Sequence, residues 1–381
     1  MRRYTAALVV SAAVVGVAPF AAAIRDAIEA ALAEGYLRWM GIGFALAVAA
    51  IVAWVVARIR DERALRWGLL VVALLLLVGQ LAGWSRDSAA VNAVERIHFL
   101  YYGWLGVLWP RAFRRRRGDL SALASAMLAI LVVALADEGV QWWVAARTGE
   151  IYDVVLNVYA GAIGVLIGLA VDGRRSLRWR FEPGAARDVT LQAAAALIVA
   201  AAFIHLAHLG YRIEDPEIGR FRSYFSREEL ASASRDRAAR WAERPLGPPG
   251  IFAALEREDW FRTEAGMRVQ HRNAALERGD VYQAWKENLI LERYYQPFLD
   301  QLGRDGHPFR LPAEARRSLD EARPRRDPYL YDSPVGRVPH RIWLWPSKLL
   351  LWIVASTLAI AVLVAPAALG ARHEPSSAPK T

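Results

Sequence analysis

The chain has no cysteine among its 381 residues, and this absence removes three classes of chemistry. A disulfide framework, a thiol nucleophile and a metal site built on thiolates are all excluded. The sequence also shows no internal repeat of the kind that builds a solenoid and no motif of a catalytic nucleophile. The function therefore has to be sought in the other polar residues and in their positions along the chain.

Long apolar runs dominate what is present. Roughly 20 apolar residues are enough to cross the hydrocarbon core of a bilayer, and several runs approach that length. The fourth is the least regular, because Glu95, Arg96 and His98 interrupt it. We therefore predict an all-α fold, a multipass transmembrane bundle of about eight helices. The predicted helices are Tyr4–Ile24, Leu37–Ala57, Trp67–Trp84, Ala93–Trp109, Leu120–Ala136, Val154–Val171, Asp188–Leu209 and Ile342–Ala368.

The net charge of +10 is distributed unevenly. Basic residues crowd both ends of the chain and the connections Arg58–Arg66, Arg111–Arg117 and Arg174–Arg187. Such an excess is typical of the cytoplasmic side of a membrane protein. The charge therefore predicts orientation in a lipid bilayer, with anionic lipid as a secondary partner. We expect no nucleic-acid partner.

Alternation of the predicted helices then assigns a side of the inner (plasma) membrane to every connection. If the arginine-rich loops are cytoplasmic, eight crossings leave both termini in the cytoplasm. The connections predicted to be extracytoplasmic are 25–36, 85–92, 137–153 and 210–341. An alternative applies to residues 1–23, because Arg2 and Arg3 followed by an apolar run and Ala21–Ala23 also fit a cleaved signal peptide.

The predicted organisation has five parts. They are residues 1–92 with three transmembrane helices, residues 93–171 with three more, the helix 188–209, an extracytoplasmic helical domain at 210–341, and the C-terminal helix 342–368. Within the external domain, Ser226 to Glu229 form a capping box that opens a helix. Residues 280–302 place Val281, Trp285 and Leu289 on one helical stripe.

The external domain is rich in aromatic residues, which leaves two interpretations open. They could form a surface that stacks on carbohydrate, or the aromatic core of a small helical domain, and we favour the core. The residues concerned are Phe221, Tyr224, Phe225, Trp241, Trp260, Trp285, Tyr294 and Tyr295. His205 and His208 could form a metal pair, but without a third ligand nearby an interfacial anchoring role is favoured.

Polar residues gather at the predicted outer ends of the fourth, fifth and sixth helices. Ionisable groups in such positions are costly unless they are paired, so they indicate a functional site. The candidates are His98, Glu138, Gln141, Arg147, Asp153 and Asn157. Gly161, Gly164 and Gly168 follow Asn157 on its helix, where small residues allow close helix packing.

These residues resemble the motif of a known family. The pattern Glu138-x-x-Gln141, Arg147-x-Gly149 and Asp153-x-x-x-Asn157, preceded by His98, is similar to the VanZ-like family of bacterial membrane proteins. The likeness covers about Ala93–Val171. It implies a role at the cell envelope, because the founding member is associated with resistance to the glycopeptide teicoplanin. The family brings no established reaction with it.

Three interpretations of the polar cluster stay open at this point. In the first, the residues are structural: Asp153 caps its helix, Arg147 and Glu138 form an interfacial ion pair, and Asn157 makes an interhelical hydrogen bond. In the second, an outward pocket binds an anionic group through Arg147 and His98. In the third, His98, Glu138 and Asp153 act as acid and base or hold a divalent metal.

For the whole protein, the leading hypothesis is recognition of a lipid-linked or cell-envelope component by the outward cluster. The alternative is a membrane-embedded enzyme of envelope-lipid or cell-wall precursor metabolism. No signature of a cofactor or of a dedicated metal site is present, so we expect neither.

Overall fold

A computed structural model describes residues 2–61, 63–83, 89–113, 119–143, 149–172, 183–243, 260–302, 307–322, 331–337 and 341–371. The chain divides into two compact units. The first unit comprises Met1–Val140, Ile151–Phe203 and Leu351–Thr381, and the second comprises Gln141–Glu150 and Ile204–Leu350. The five-part organisation drawn from the sequence stays a prediction.

The described residues are mainly helical, and the elements follow one another in chain order. They are α1 (Arg2–Val17), α2 (Ala21–Leu32), α3 (Tyr36–Arg58), α4 (Arg63–Gly83), α5 (Ala89–Phe113), α6 (Asp119–Trp143), α7 (Ile151–Asp172), α8 (Pro183–Ala207), β1 (Tyr211–Asp215), β2 (Gly219–Ser223), α9 (Arg227–Glu243), α10 (Trp260–Glu277), α11 (Val281–Tyr294), α12 (Gln296–Leu299), α13 (Ala313–Glu321) and α14 (Lys348–Ala371). A 3₁₀ turn at Ala18–Phe20 joins α1 to α2.

Six helical segments in the described ranges are long and apolar enough to cross a membrane. They are Ala23–Arg58, Arg63–Ala82, Leu120–Trp143, Ile151–Asp172, Ala185–Ala207 and Lys348–Ala365, and each overlaps a predicted span. The prediction of an all-α multipass bundle is therefore confirmed. Of the other two predicted segments, Tyr4–Phe20 forms a shorter apolar helix, and Ala93–Trp109 lies within α5, whose His98, tyrosines and tryptophans make it less apolar.

The first predicted helix differs from the structure at its end. The sequence predicts one helix over Tyr4–Ile24, whereas α1 ends at Val17 and a 3₁₀ turn containing Pro19 follows. Proline has no backbone N–H to donate and its ring crowds the preceding turn, so it interrupts a helix. The helical path then continues through α2, over residues predicted to be a loop.

The tightest packing in the first unit is between α5 and α7. A Cβ atom added at Gly164 of α7 would lie 1.9 Å from the carbonyl oxygen of Gly103 in α5. One added at Gly106 would lie 2.1 Å from the carbonyl oxygen of Gly161. One at Gly168 would lie 3.3 Å from the Cα of Val107. The two backbones are thus in direct contact, as small residues allow in membrane helices.

Arg66 joins the ends of two other helices in the first unit. Its guanidinium is buried and donates hydrogen bonds to the carbonyl oxygens of Ala170 (2.6 Å) and Val171 (2.8 Å), near the end of α7. It also donates to the carbonyl oxygen of Arg58 (2.9 Å), the last residue of α3. These carbonyls have no partner within their own helices, and a cation there also interacts favourably with the helix dipole.

The second unit contains an element that helical patterning did not predict. Strands β1 and β2 pair antiparallel, from Tyr211 opposite Ser223 to Asp215 opposite Gly219. The side chains of Ile213 and Phe221 point inward and are buried. Asp215 Oδ1 accepts hydrogen bonds from the backbone N–H groups of Glu217 and Ile218, which closes the turn. The hairpin adds two short strands to a domain that the sequence predicts to be mostly helical.

Two local predictions for this unit are confirmed. The Ser226 hydroxyl accepts a hydrogen bond from the N–H of Glu229, and the Glu229 carboxylate accepts one from the N–H of Ser226 (2.7 Å). This reciprocal pair is the capping box of α9. The stripe on α11 begins after Asp280, whose carboxylate caps the helix. Val281 and Trp285 pack against a cluster that includes Leu319 of α13, whereas Leu289 packs against the main aromatic core.

The aromatic residues of the second unit form its core, as the favoured interpretation predicted. Phe221, Tyr294 and Tyr295 belong to one buried cluster, and Phe225 and Trp241 pack against it. The ring centroids of Phe261 and Tyr295 lie 4.9 Å apart. Aromatic pairs at such distances stabilise a core beyond the apolar area that they bury.

A network of buried charges crosses this core. The guanidinium of Arg268 is fully buried and donates to Glu264 Oε1 (2.9 Å) and to Glu287 Oε2 (3.2 Å). The second oxygen of Glu264 accepts from the Ser223 hydroxyl (2.9 Å), and Glu287 accepts from Tyr331. Each carboxylate is satisfied by several donors, which is the condition under which buried charges are tolerated.

We predict that Gly164→Ala destabilises the protein by about 2 kcal/mol, because the added methyl group overlaps the backbone of α5. The measurement is thermal unfolding of the purified full chain in detergent. The matched control is Gly79→Ala in α4, where nothing lies within 4 Å of an added Cβ atom. The control should be neutral or slightly stabilising, because alanine favours a helix more than glycine does. Equal effects of the two changes would contradict the close approach of α5 and α7.

We also predict that Arg268→Met lowers the free energy of unfolding by about 3–5 kcal/mol, because it leaves two buried carboxylates without their shared cation. Chemical denaturation of the full chain measures the loss. The matched control is Arg310→Met, which breaks a partly exposed pair with Asp300 and should cost less than about 1 kcal/mol. A small loss for Arg268→Met would show that the network does not hold the core together.

Candidate functional site

The structure brings together two of the candidate polar residues, His98 of α5 and Asn157 of α7. His98 Nδ1 lies 2.6 Å from Asn157 Oδ1, and both side chains are buried in the first unit. Because the amide oxygen can only accept, Nδ1 of the imidazole carries the proton in this contact. The Asn157 amide nitrogen is also buried and has no hydrogen-bond partner among the described residues. A donor is therefore left unused within the membrane-spanning part of the protein.

A second buried pair lies one turn further along α5. The hydroxyl of Tyr102 donates to Asp137 Oδ2 of α6 at 3.0 Å, and the exposed fraction of Asp137 is 2%. The rings of His98 and Tyr102 are nearly parallel, with centroids 6.3 Å apart. The two pairs therefore share one face of α5, because residues four apart lie on the same side of a helix.

The close glycine contact between α5 and α7 explains why His98 meets Asn157. Gly103 and Gly106 let α5 approach α7 at the positions of Gly161 and Gly164. His98 lies just over one turn before Gly103, and Asn157 lies about one turn before Gly161. Close approach of the two backbones brings the side chains of His98 and Asn157 within hydrogen-bonding distance. The packing residues and the polar pair are consequently parts of one arrangement.

The other candidate residues are placed as follows. Glu138 is fully buried near the end of α6 in the first unit. Asp153 lies in the first turn of α7 and is partly exposed. Gln141 is buried and belongs to the second unit. Arg147 lies outside the described residues, so its predicted pairing with a carboxylate stays a prediction.

Sequence reasoning missed the Tyr102–Asp137 pair and the two glycines of α5. A signal for the pair was present, because Tyr102 is four residues after His98 and Asp137 directly precedes Glu138. Gly103 and Gly106 also stand three apart, in the way that packing glycines do. What the sequence alone did not supply was the pairing of α5 with α7.

An apolar cavity in the first unit is lined in part by the two helices that carry the polar pair. Its walls are built by α3, α4, α5 and α7, and its lining is almost wholly apolar. Phe99 and Gly103 of α5 and Ile163 and Ile167 of α7 contribute to the wall. Ile163 follows Asn157 by six residues, which is about 9 Å along a helix. The same two helices therefore carry a polar pair and, further along, an apolar cavity.

One of the two histidines considered as a metal pair, His208, contacts the segment that precedes the last span. His208 Nδ1 lies 3.0 Å from the carbonyl oxygen of Arg341, and its ring stacks on Trp343 with centroids 5.1 Å apart. Burial lowers the pKa of His208, so the ring is neutral near pH 7. The anchoring role stays a prediction. Among the described residues, no group of three or more His, Asp or Glu side chains is arranged to hold a metal.

Together, the apolar spans and the buried polar pairs define a multipass all-α membrane protein. Residues 43–172 match the family model described as VanZ/LLP1, so the chain contains a VanZ-like domain there. The match confirms the resemblance seen in the sequence, begins well before residue 93, and includes about a third of the chain. Searches of curated proteins and of solved structures found no match.

Proposed function

We propose that the polar group formed by His98, Asn157, Tyr102 and Asp137 binds the polar part of a lipid-linked component of the cell envelope. The observation that carries the proposal is the buried amide nitrogen of Asn157, which lacks a partner among the described residues. An unsatisfied buried donor costs about 1–3 kcal/mol. A ligand that accepts a hydrogen bond from it would recover that free energy.

The apolar cavity supports a ligand with a hydrocarbon chain. Its lining shares α5 and α7 with the polar pair, so one molecule with a polar head and an apolar chain would contact both. Ligand sites commonly combine an apolar wall with a few convergent polar groups. Lipid-linked precursors of the cell wall have this chemistry. The proposal also places both termini in the cytoplasm and the segment 210–341 outside the inner membrane, in line with the arginine distribution.

We predict that Asn157→Leu weakens the binding of a polyprenyl phosphate by about tenfold, since it removes the hydrogen-bonding amide while keeping the volume. The measurement is the rise in melting temperature of the full chain in detergent as the polyprenyl phosphate is added. The control is Tyr159→Phe, two residues along the same helix, whose hydroxyl donates instead to the carbonyl oxygen of Leu76 (2.8 Å). That variant should bind as the wild type does.

Three outcomes would count against the binding proposal. Unchanged binding by Asn157→Leu would remove its main support. If Asn157→Leu does not fold, His98→Gln and His98→Ala test the same pair from its other side. Glutamine keeps a hydrogen-bond donor on a side chain of different shape, and alanine removes the donor. Normal binding by both His98 variants would also count against the proposal. Turnover of the polyprenyl phosphate that stops in His98→Ala would favour the enzyme alternative.

A separate prediction tests the orientation, and the absence of cysteine makes it direct. Ala239→Cys places a single thiol on the exposed part of α9, and Arg60→Cys places one after α3. In intact cells, a membrane-impermeant maleimide should label Ala239→Cys, whereas Arg60→Cys should react only after the membrane is opened. The reverse labelling pattern would show that the predicted orientation is wrong. It would not bear on the binding proposal, which the Asn157→Leu experiment tests separately.

A further inference from the structure

Two arginines stand directly opposite each other in the β-hairpin of the second unit. In the register of β1 and β2, Arg212 pairs with Arg222, and Glu214 pairs with Arg220. Residues directly opposite in an antiparallel pair project from the same face with Cβ atoms about 4.5–5.5 Å apart. One cross-strand pair on the outer face is therefore of opposite charge and the other is of like charge. Like charges in this position are destabilising.

The surroundings of the arginine pair do not neutralise it. Arg212 is exposed and makes no hydrogen bond or ion pair with another described residue. Arg222 is half-buried and donates to the neutral carbonyl oxygen of Ile342 (2.9 Å). Asp332, the acid whose charge acts on Arg222, is paired with a third arginine, Arg337. Arg222 is therefore close to two other guanidinium groups, and its acidic neighbour is already paired.

The electrostatics of Arg222 agree with this geometry. Burial lowers its pKa, and the charges of Arg337 and Arg212 lower it further, while Asp332 acts in the opposite direction. Arginine keeps its proton in proteins, so the site does not relieve the repulsion by losing charge. An anion placed between the guanidinium groups would relieve it.

The pair also lies close in sequence to two membrane spans. Arg212 follows the last residue of the span Ala185–Ala207 by five residues, which limits its distance from that end to roughly 17 Å. Lys348, the first residue of the last span, places its Nζ 5.1 Å from the centre of the Tyr211 ring, next to Arg212. The arginine pair is therefore within reach of the lipid headgroups.

We propose that Arg212 and Arg222, with Arg337 beside them, form a binding site for a phosphate group, most directly that of an anionic lipid headgroup. Guanidinium groups bind phosphate oxygens through paired N–H donors, which gives geometry as well as charge. Near the membrane, a phosphate could belong to a lipid or to a soluble compound, and both present the same oxygens. This site is separate from the polar group of the membrane helices and does not rest on its function.

The test compares the full chain with two variants, Arg212→Gln and the double change Arg212→Gln with Arg222→Gln. Native mass spectrometry from detergent measures how much phosphatidylglycerol stays bound when it competes with equimolar phosphatidylcholine. We expect the wild type to bind more phosphatidylglycerol than phosphatidylcholine. The ratio of the two bound lipids should be about fivefold or more lower in the double variant. The control, Arg235→Gln, removes an exposed arginine of α9 and should leave the preference unchanged.

A second measurement guards against misfolding and distinguishes the source of the phosphate. Without added anion, Arg212→Gln should melt at the same temperature as the wild type or higher, because it relieves repulsion. Glycerol 1-phosphate then tests a soluble ligand by the rise in melting temperature that it causes. If lipid binding or the rise in melting temperature caused by glycerol 1-phosphate depends on Arg212, the site is supported. The measurement that depends on Arg212 then identifies whether the phosphate belongs to a lipid or to a soluble compound. If both responses are absent, or both survive the double change, the proposal is wrong.

Discussion

The contact between the backbones of α5 and α7 is the constraint on which the first unit depends. Neither Gly106 nor Gly164 leaves room for a side chain, so the two helices can pack this closely only with glycine at these positions. That separation brings His98 to Asn157 at 2.6 Å. Because lipid supplies little hydrophobic force between helices, close van der Waals packing of this kind has to hold them together. If the two helices crossed at a larger distance, the side chains of His98 and Asn157 could not form their hydrogen bond.

Both units bury charge or polarity, but they compensate it differently. In the second unit, Arg268 lies between Glu264 and Glu287, and hydroxyl and backbone donors complete the network. Arg66 of the first unit is compensated by carbonyl oxygens at helix ends and by Asp61. Arg268 Nε and the amide nitrogen of Asn157 are both buried without a hydrogen-bond partner among the described residues. The two cases differ in that the guanidinium of Arg268 has two carboxylates as partners, whereas the only hydrogen bond that the described residues give the Asn157 side chain is the one to His98.

The elements that local sequence determines could be predicted, and those that depend on distant partners could not. The capping box of Ser226 and Glu229 needs only four residues in sequence, so its pattern was sufficient. The contact of His98 with Asn157 joins residues 59 apart, and its geometry depends on which helices pack. The hairpin was missed because its strands have five residues each, with arginine and glutamate on the outer face. Arg66 was assigned to a loop from its charge, and burial gave it a structural role.

The outer face of the hairpin and the polar pair of the membrane helices raise opposite physical problems. Asn157 has an unused donor in a place without water, where the cost falls on a single group and the surrounding helices hold it rigidly. Arg212 is exposed and Arg222 is half-buried, so water reaches the pair, but the two like charges repel each other. A buried orphan donor selects a ligand by shape and position, since no solvent competes with it. A solvent-accessible arginine pair selects a ligand by its charge, and salt weakens that binding. In the two functions that we propose, the first feature would discriminate between ligands by shape and the second would hold an anionic group by charge.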